Sequence, residues 1–269
     1  MKLRPVIITM AGLLLWVCTF SSALAGAWTR EKGDELLITT FGVHVLEDSS
    51  GAGRLEKQEY ALYGEYGLFD GVTLIGRLGL QNLTESRSIN LAGGSAQSVP
   101  LSQHAFGAGG IELGSRVRLM ERGPWVISTQ AVIGVPGAGE NANNLRFGDG
   151  GGDIDLRLQV GRSIGDNGFI SVAQGWRNRR GLSSDEWRLD VTTGRRLANG
   201  IEVHAQTYSV ISESGGLMGE GRYQGHRAQI SALLPVSRRI KVQFSVLSTV
   251  YARDLADERA LIIGAWRKF

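Results

Sequence analysis

From residue 72 to residue 81 the chain alternates strictly. Val72, Leu74, Gly76, Leu78 and Leu80 fall on one side of an extended backbone, and Thr73, Ile75, Arg77, Gly79 and Gln81 on the other. A period of two sorts side chains onto opposite faces of a strand. The sorting recurs at Ile111, Leu113, Val117 and Leu119 against Glu112, Arg116 and Arg118, and at Ile154, Leu156, Leu158 and Val160 against Asp153, Asp155, Arg157 and Gln159. It recurs again at Trp187, Leu189 and Val191 against Glu186, Arg188 and Asp190. Twelve segments read this way, near 35–46, 57–67, 72–83, 105–119, 125–135, 153–164, 169–177, 186–197, 201–211, 226–234, 240–251 and 259–269. No sustained i, i+3, i+4 stripe competes with them. The expected fold class is all-β.

Strand length and connector length say which kind. Most segments run 9 to 13 residues, near the roughly 9–11 a tilted strand needs to cross a bilayer, whereas soluble strands usually have about 5–6. Five connectors are short, at 68–71, 120–124, 165–168, 198–200 and 235–239, and three of them contain Asp70-Gly71, Asn167-Gly168 or Asn199-Gly200, pairs that tolerate positive φ. The six others, at 47–56, 84–104, 136–152, 178–185, 212–225 and 252–258, are long and rich in Gly, Ser, Asn and charge. Short turns at one rim and long loops at the other are the asymmetry of a transmembrane antiparallel up-and-down β-barrel. An even strand number puts both chain ends at the short-turn rim. A soluble sandwich or lipocalin-like barrel is the competing all-β arrangement. It would bury the leucines and expose the charges, the opposite assignment of faces.

Residues 1–25 read as a cleaved signal peptide: Lys2 and Arg4, an apolar stretch from Val6 to Phe20, then Ala23-Leu24-Ala25 as a small-x-small cut site. The barrel domain is then 26–269. Removing Lys2 and Arg4 from the 29 basic residues leaves 27 against 26 acidic, and removing Cys18 leaves no thiol. A near-neutral chain gives no electrostatic support for a nucleic-acid partner. No disulfide framework and no cysteine metal cluster is possible, and no cofactor motif occurs.

The carboxy-terminal segment ends Gly264-Ala265-Trp266-Arg267-Lys268-Phe269. A terminal Phe closing a membrane-length strand resembles the insertion signal of bacterial outer-membrane barrels. Tyr66 to Asp70 before a strand, with the Gly-Ala-Trp266 ending, resembles the small transporter-type barrels named for the meta pathway of phenol degradation. The resemblance implies a bacterial outer-membrane location, outer-membrane lipid and the barrel-assembly machinery as partners, and Trp266 and Phe269 as the insertion signal. Arg267 departs from the apolar phase of that signal. Either a bulge shifts register there or Arg267 reaches the head-group zone.

For chemistry the residues offer little. Gly161-Arg162-Ser163-Ile164-Gly165 matches G-x-S-x-G, but a nucleophile elbow needs a strand-turn-helix context, and a turn and a strand follow here. Loop acids such as Glu140, Asp149 and Asp153 lack calcium-loop spacing. His204 lies on a polar face, as a lumen histidine or as the base of a lipid hydrolase. No catalytic and no metal residue is assigned. The inward face supplies the pore-lining candidates Arg77, Glu112, Arg116, Arg157, Arg188, Asp190, His204, Arg227 and Lys241. Their signs are mixed within strands, which argues for cross-strand pairing and against strong ion selectivity. Twelve strands give a backbone radius of roughly 12 Å, which side chains from opposite walls narrow to a slim or plugged bore. The loop 84–104 is the candidate cap. The expected function is a monomeric barrel with a narrow polar-lined channel for passive transport of small solutes. The alternatives are an outer-membrane lipid hydrolase, or a non-channel barrel that assists export or surface-polysaccharide assembly.

Overall fold

A computed structural model describes residues 26–48, 53–90, 98–140, 152–179, 184–213 and 222–269. The expected signal peptide, residues 91–97 of the expected cap and Asp149 lie outside the described residues. The strands are β1 Glu35–Glu47, β2 Gly53–Phe69, β3 Val72–Asn90, β4 Ser98–Arg122, β5 Trp125–Val135, β6 Ala138–Glu140, β7 Asp153–Ile164, β8 Gly168–Arg179, β9 Glu186–Arg196, β10 Glu202–Ser212, β11 Gln224–Pro235, β12 Ile240–Arg253 and β13 Asp257–Lys268. Every pairing is antiparallel. β1 pairs with both β2 and β13, and the β3–β4 pairing leaves no free sheet edge. β6 has three residues and continues the β5 side of β4 beyond Pro136-Gly137. The wall is therefore twelve staves, one of them broken, as the alternation predicts. Among the described residues there is no helix.

The faces settle inside and outside. Leu113 is 62% exposed and Ile230 65%, whereas Arg116 and Lys57 are 1% exposed. Apolar side chains at alternate positions point out of the barrel and ionised ones point in, the reverse of a soluble protein. β8 turns Ile170 and Val172 outward and Phe169, Ser171 and Ala173 inward. Phe169 thus belongs to the lumen, whereas Tyr66, Phe69, Trp125 and Phe269 are exposed on the outside at the short-turn rim. Tyr60 packs on Phe41, the middle residue of β1, with ring centroids 4.6 Å apart.

Several expectations change or are decided. Residues 84–104 are not one loop: β3 and β4 continue through 84–90 and 98–104 as a paired ladder, making strands of 19 and 25 residues. The ladder breaks phase at Gly79/Leu80, where β4 carries an extra residue and Gly110 takes φ +114°. A bulge there flips which face odd residues occupy, so uniform alternation cannot be traced through it. The connector 252–258 is not long; only residues 254–256 separate β12 from β13. In the turn after β7 the positive φ is at Gly165, not at Gly168. At the carboxy-terminal end no bulge occurs, since β13 pairs with β1 without a break from Asp257 to Lys268. Arg267 stays on the outer face and folds over the Phe269 ring, 4.3 Å from its centroid. Trp266 points inward.

Both ends of the described chain meet at the short-turn rim, where the Phe269 amide donates to the Glu35 carbonyl at 3.2 Å.

Candidate functional site

The site is the lumen, built by the inward position of each stave. At its short-turn end the segment 26–30 enters the barrel. Ala27 is fully buried, and the Trp28 ring packs edge-on against Phe169, centroids 5.6 Å apart. Arg116 donates to the Trp28 carbonyl at 3.0 Å and to Glu65 at 3.1 Å. Arg30 donates to the other Glu65 oxygen at 2.6 Å, and its amide donates to the Thr73 hydroxyl at 2.7 Å. The Tyr63 hydroxyl donates to Glu65 at 2.7 Å. One carboxylate on β2 thus ties the entering segment to β4. A side chain at Gly161 would overlap Trp28, its Cβ only 2.8 Å from that ring. The glycine on β7 leaves the space the indole fills.

Above this knot lie two charge clusters, one on β2–β4 and one on β7–β9. On one, Glu59 accepts from Lys57 at 3.0 Å, from Gln81 at 3.0 Å and from Arg77, while Glu112 stands 3.9 Å from Arg77. On the other, Arg157 holds Asp155 by two hydrogen bonds at 2.7 and 2.8 Å and reaches Asp190 at 2.7 Å; Arg188 donates to Asp155 at 3.0 Å. Asp153, expected on a loop, pairs inside with Arg177. Nearer the loops His44 hydrogen-bonds Glu258 at 2.8 Å, and Arg227 approaches the same carboxylate at 3.4 Å. Between these charges, from β9 to β13, runs a chain of amides and hydroxyls. Trp266 donates to Gln243 at 2.6 Å, Gln243 to Ser245 at 2.6 Å, Ser245 to Ser231 at 2.8 Å, and Gln229 joins Ser231 to Gln206.

The ends of the bore are greasier than a purely polar lumen. Leu36, Ile38, Tyr63, Ile75, Leu233 and Trp266 cluster toward the short turns, and Leu46, Leu55, Leu83 and Ala105 toward the loops. The nine pore-lining candidates all face inward. Arg77 and Glu112 come together, as do Arg157, Arg188 and Asp190; Arg116 belongs to the knot, Arg227 to the upper cluster, and Lys241 pairs with Glu202 at 2.6 Å. His204 lies apart, between the rings of Phe169 and Trp266 at 5.5 and 6.0 Å. Trp28, Arg30, His44, Lys57, Arg177 and Glu258 are further lumen residues. His44 and Lys57 sat in readable alternating segments, but Arg30 and Trp28 precede the first strand and carry no periodic signal.

Ser163 is the penultimate residue of β7, and a turn and β8 follow, with no helix, so the nucleophile-elbow geometry is absent there. Among the described residues no group of three His, Cys, Asp or Glu side chains is arranged to hold a metal.

No family model matches the chain, and no curated protein matches it in sequence. Its shape matches many solved structures. An outer membrane channel from Pseudomonas putida F1 superposes with a TM-score of 0.71 at 12% identity, covering 90% of this chain and 97% of that one. The NanC porin superposes with a TM-score of 0.59 at 9% identity, covering 87% and 100%. The KdgM porin gives 0.51 at 8% identity, covering 86% and 99%. At such identities the likeness is one of architecture: this chain has the fold of the small outer-membrane channel and porin barrels.

Proposed function

We propose that the chain is a monomeric β-barrel of the bacterial outer membrane that lets small solutes diffuse through a narrow polar lumen. The observation that carries this reading is the stacked set of paired charges and amides on the inward face. A barrel built only to be stable has no need of them, because replacing buried ion pairs with well-packed apolar residues is usually neutral or stabilising. A path for water and polar solutes does need them, since such groups replace the hydration a solute gives up. The likeness to solved channels and porins supports the same reading.

The bore is narrow because segment 26–30 occupies its short-turn end and arginines bridge the middle. Matched charges along the wall favour small, weakly charged solutes over strong ion selection. A lipid hydrolase fits less well: His204 is flanked by aromatic rings, and no serine or carboxylate hydrogen-bonds to it among the described residues.

The test is conductance in planar bilayers. Purified, folded protein should give small, stable steps. Protein that inserts and never conducts overturns the reading and leaves the export-partner alternative.

A further inference from the structure

The wall of the barrel is charge-matched, but one side of its short-turn mouth is mostly cationic. A cavity of about 740 Å³ lies there, within the size range of small-molecule sites. Its rim carries Arg195, Arg238, Arg239 and Lys268, all exposed, and none forms an ion pair among the described residues. Arg196 and Lys241, also lining it, share the single carboxylate of Glu202 at 2.8 and 2.6 Å. Asp166 is the other acid of the lining. The roof is aromatic: Trp28, Phe169, His204 and Trp266 follow one another with centroid spacings of 5.6, 5.5 and 6.0 Å.

We propose that this vestibule is a binding site for organic monoanions with a compact apolar body, carboxylates above all. A concave mouth lined by one sign of charge focuses its field and concentrates counter-charged solutes. The ring edges then offer apolar contact that an inorganic anion cannot use, and an amine of the same shape meets repulsion. The proposal deepens the transport reading by naming the solute class, and it places selectivity at the mouth instead of along the matched wall.

The experiment uses the full folded chain in neutral-detergent micelles, with tryptophan fluorescence as readout and hexanoate, inorganic phosphate and hexylammonium as probes. Hexanoate should bind saturably and more tightly than phosphate, and hexylammonium should not bind. The turn variant R238E/R239E, checked for folding by heat-modifiable gel migration, should weaken hexanoate about tenfold or more. Phe169→Ala should weaken hexanoate and leave phosphate unchanged, a split that general unfolding would not produce. Equal binding of phosphate and hexanoate, or binding of hexylammonium, overturns the proposal. Because the titration needs no current, the two readings separate. Protein that binds hexanoate but never conducts removes transport and keeps the site. Protein that conducts but ignores hexanoate removes the site and keeps the channel.

Discussion

Glu59 shows how one residue organises the lumen. It is buried, yet Lys57, Arg77 and Gln81 all donate to it. Removing one member of a buried charge set costs far more than the set contributes. Glu59→Ala should therefore lower unfolding free energy by about 3 kcal/mol, read from urea titration in micelles; a loss within about 0.5 kcal/mol would mean that the cluster is fully hydrated. Gly110 makes a backbone demand instead. At φ +114° an added Cβ is strained, and it would lie 3.1 Å from the Val135 carbonyl oxygen. Gly110→Ala should cost about 1–2 kcal/mol in the same titration. At this scale the chain was only half legible. The order Asp155-x-Arg157 and Arg188-x-Asp190 announced mixed charges, but Arg188 pairs with Asp155 and Asp190 with Arg157, from β9 to β7 over the intervening β8. Partners on separate strands follow from register and curvature, which no local pattern contains.

The element with most functional leverage is the segment before β1. It is held by Trp28 against Phe169 and by Arg30 and Arg116 on Glu65. Loosening it should widen the narrowest part of the path. The variant W28A/R30A should conduct roughly two- to threefold more than the parent, with the wall intact by heat-modifiable migration. Unchanged conductance would place the constriction elsewhere. β3 and β4 were read too short, because their upper halves, rich in Ser and Gln, carry little apolar alternation. Those halves are strands because they pair with each other, not because each is a strand former. Trp266 and Phe269, expected together as an insertion signal, divide: Phe269 is on the lipid side, and Trp266 is hydrogen-bonded in the lumen.

For the whole molecule the decisive property is inside-out polarity. Leu158 is 52% exposed on the outer wall, and its neighbour Gln159 is buried within. Leu158→Arg should destabilise the bilayer-inserted barrel by about 2–4 kcal/mol. Gln159→Arg, one residue away, should instead alter conductance, and a reversed result would invert the barrel. Unboiled protein should also migrate faster than boiled protein on a gel, as a closed barrel resists detergent unfolding.

Polarity with a period of two is a property of neighbouring residues, and so is the length over which it runs. The twelve staves, their outward face and the rim shared by both chain ends could therefore be read before any coordinates. The occupied mouth, the matched charges and the cationic vestibule arise from residues far apart in the chain, 35 between Arg30 and Glu65 and 214 between His44 and Glu258. Only closure of the sheet brings these within reach of one another, and closure depends on every register at once.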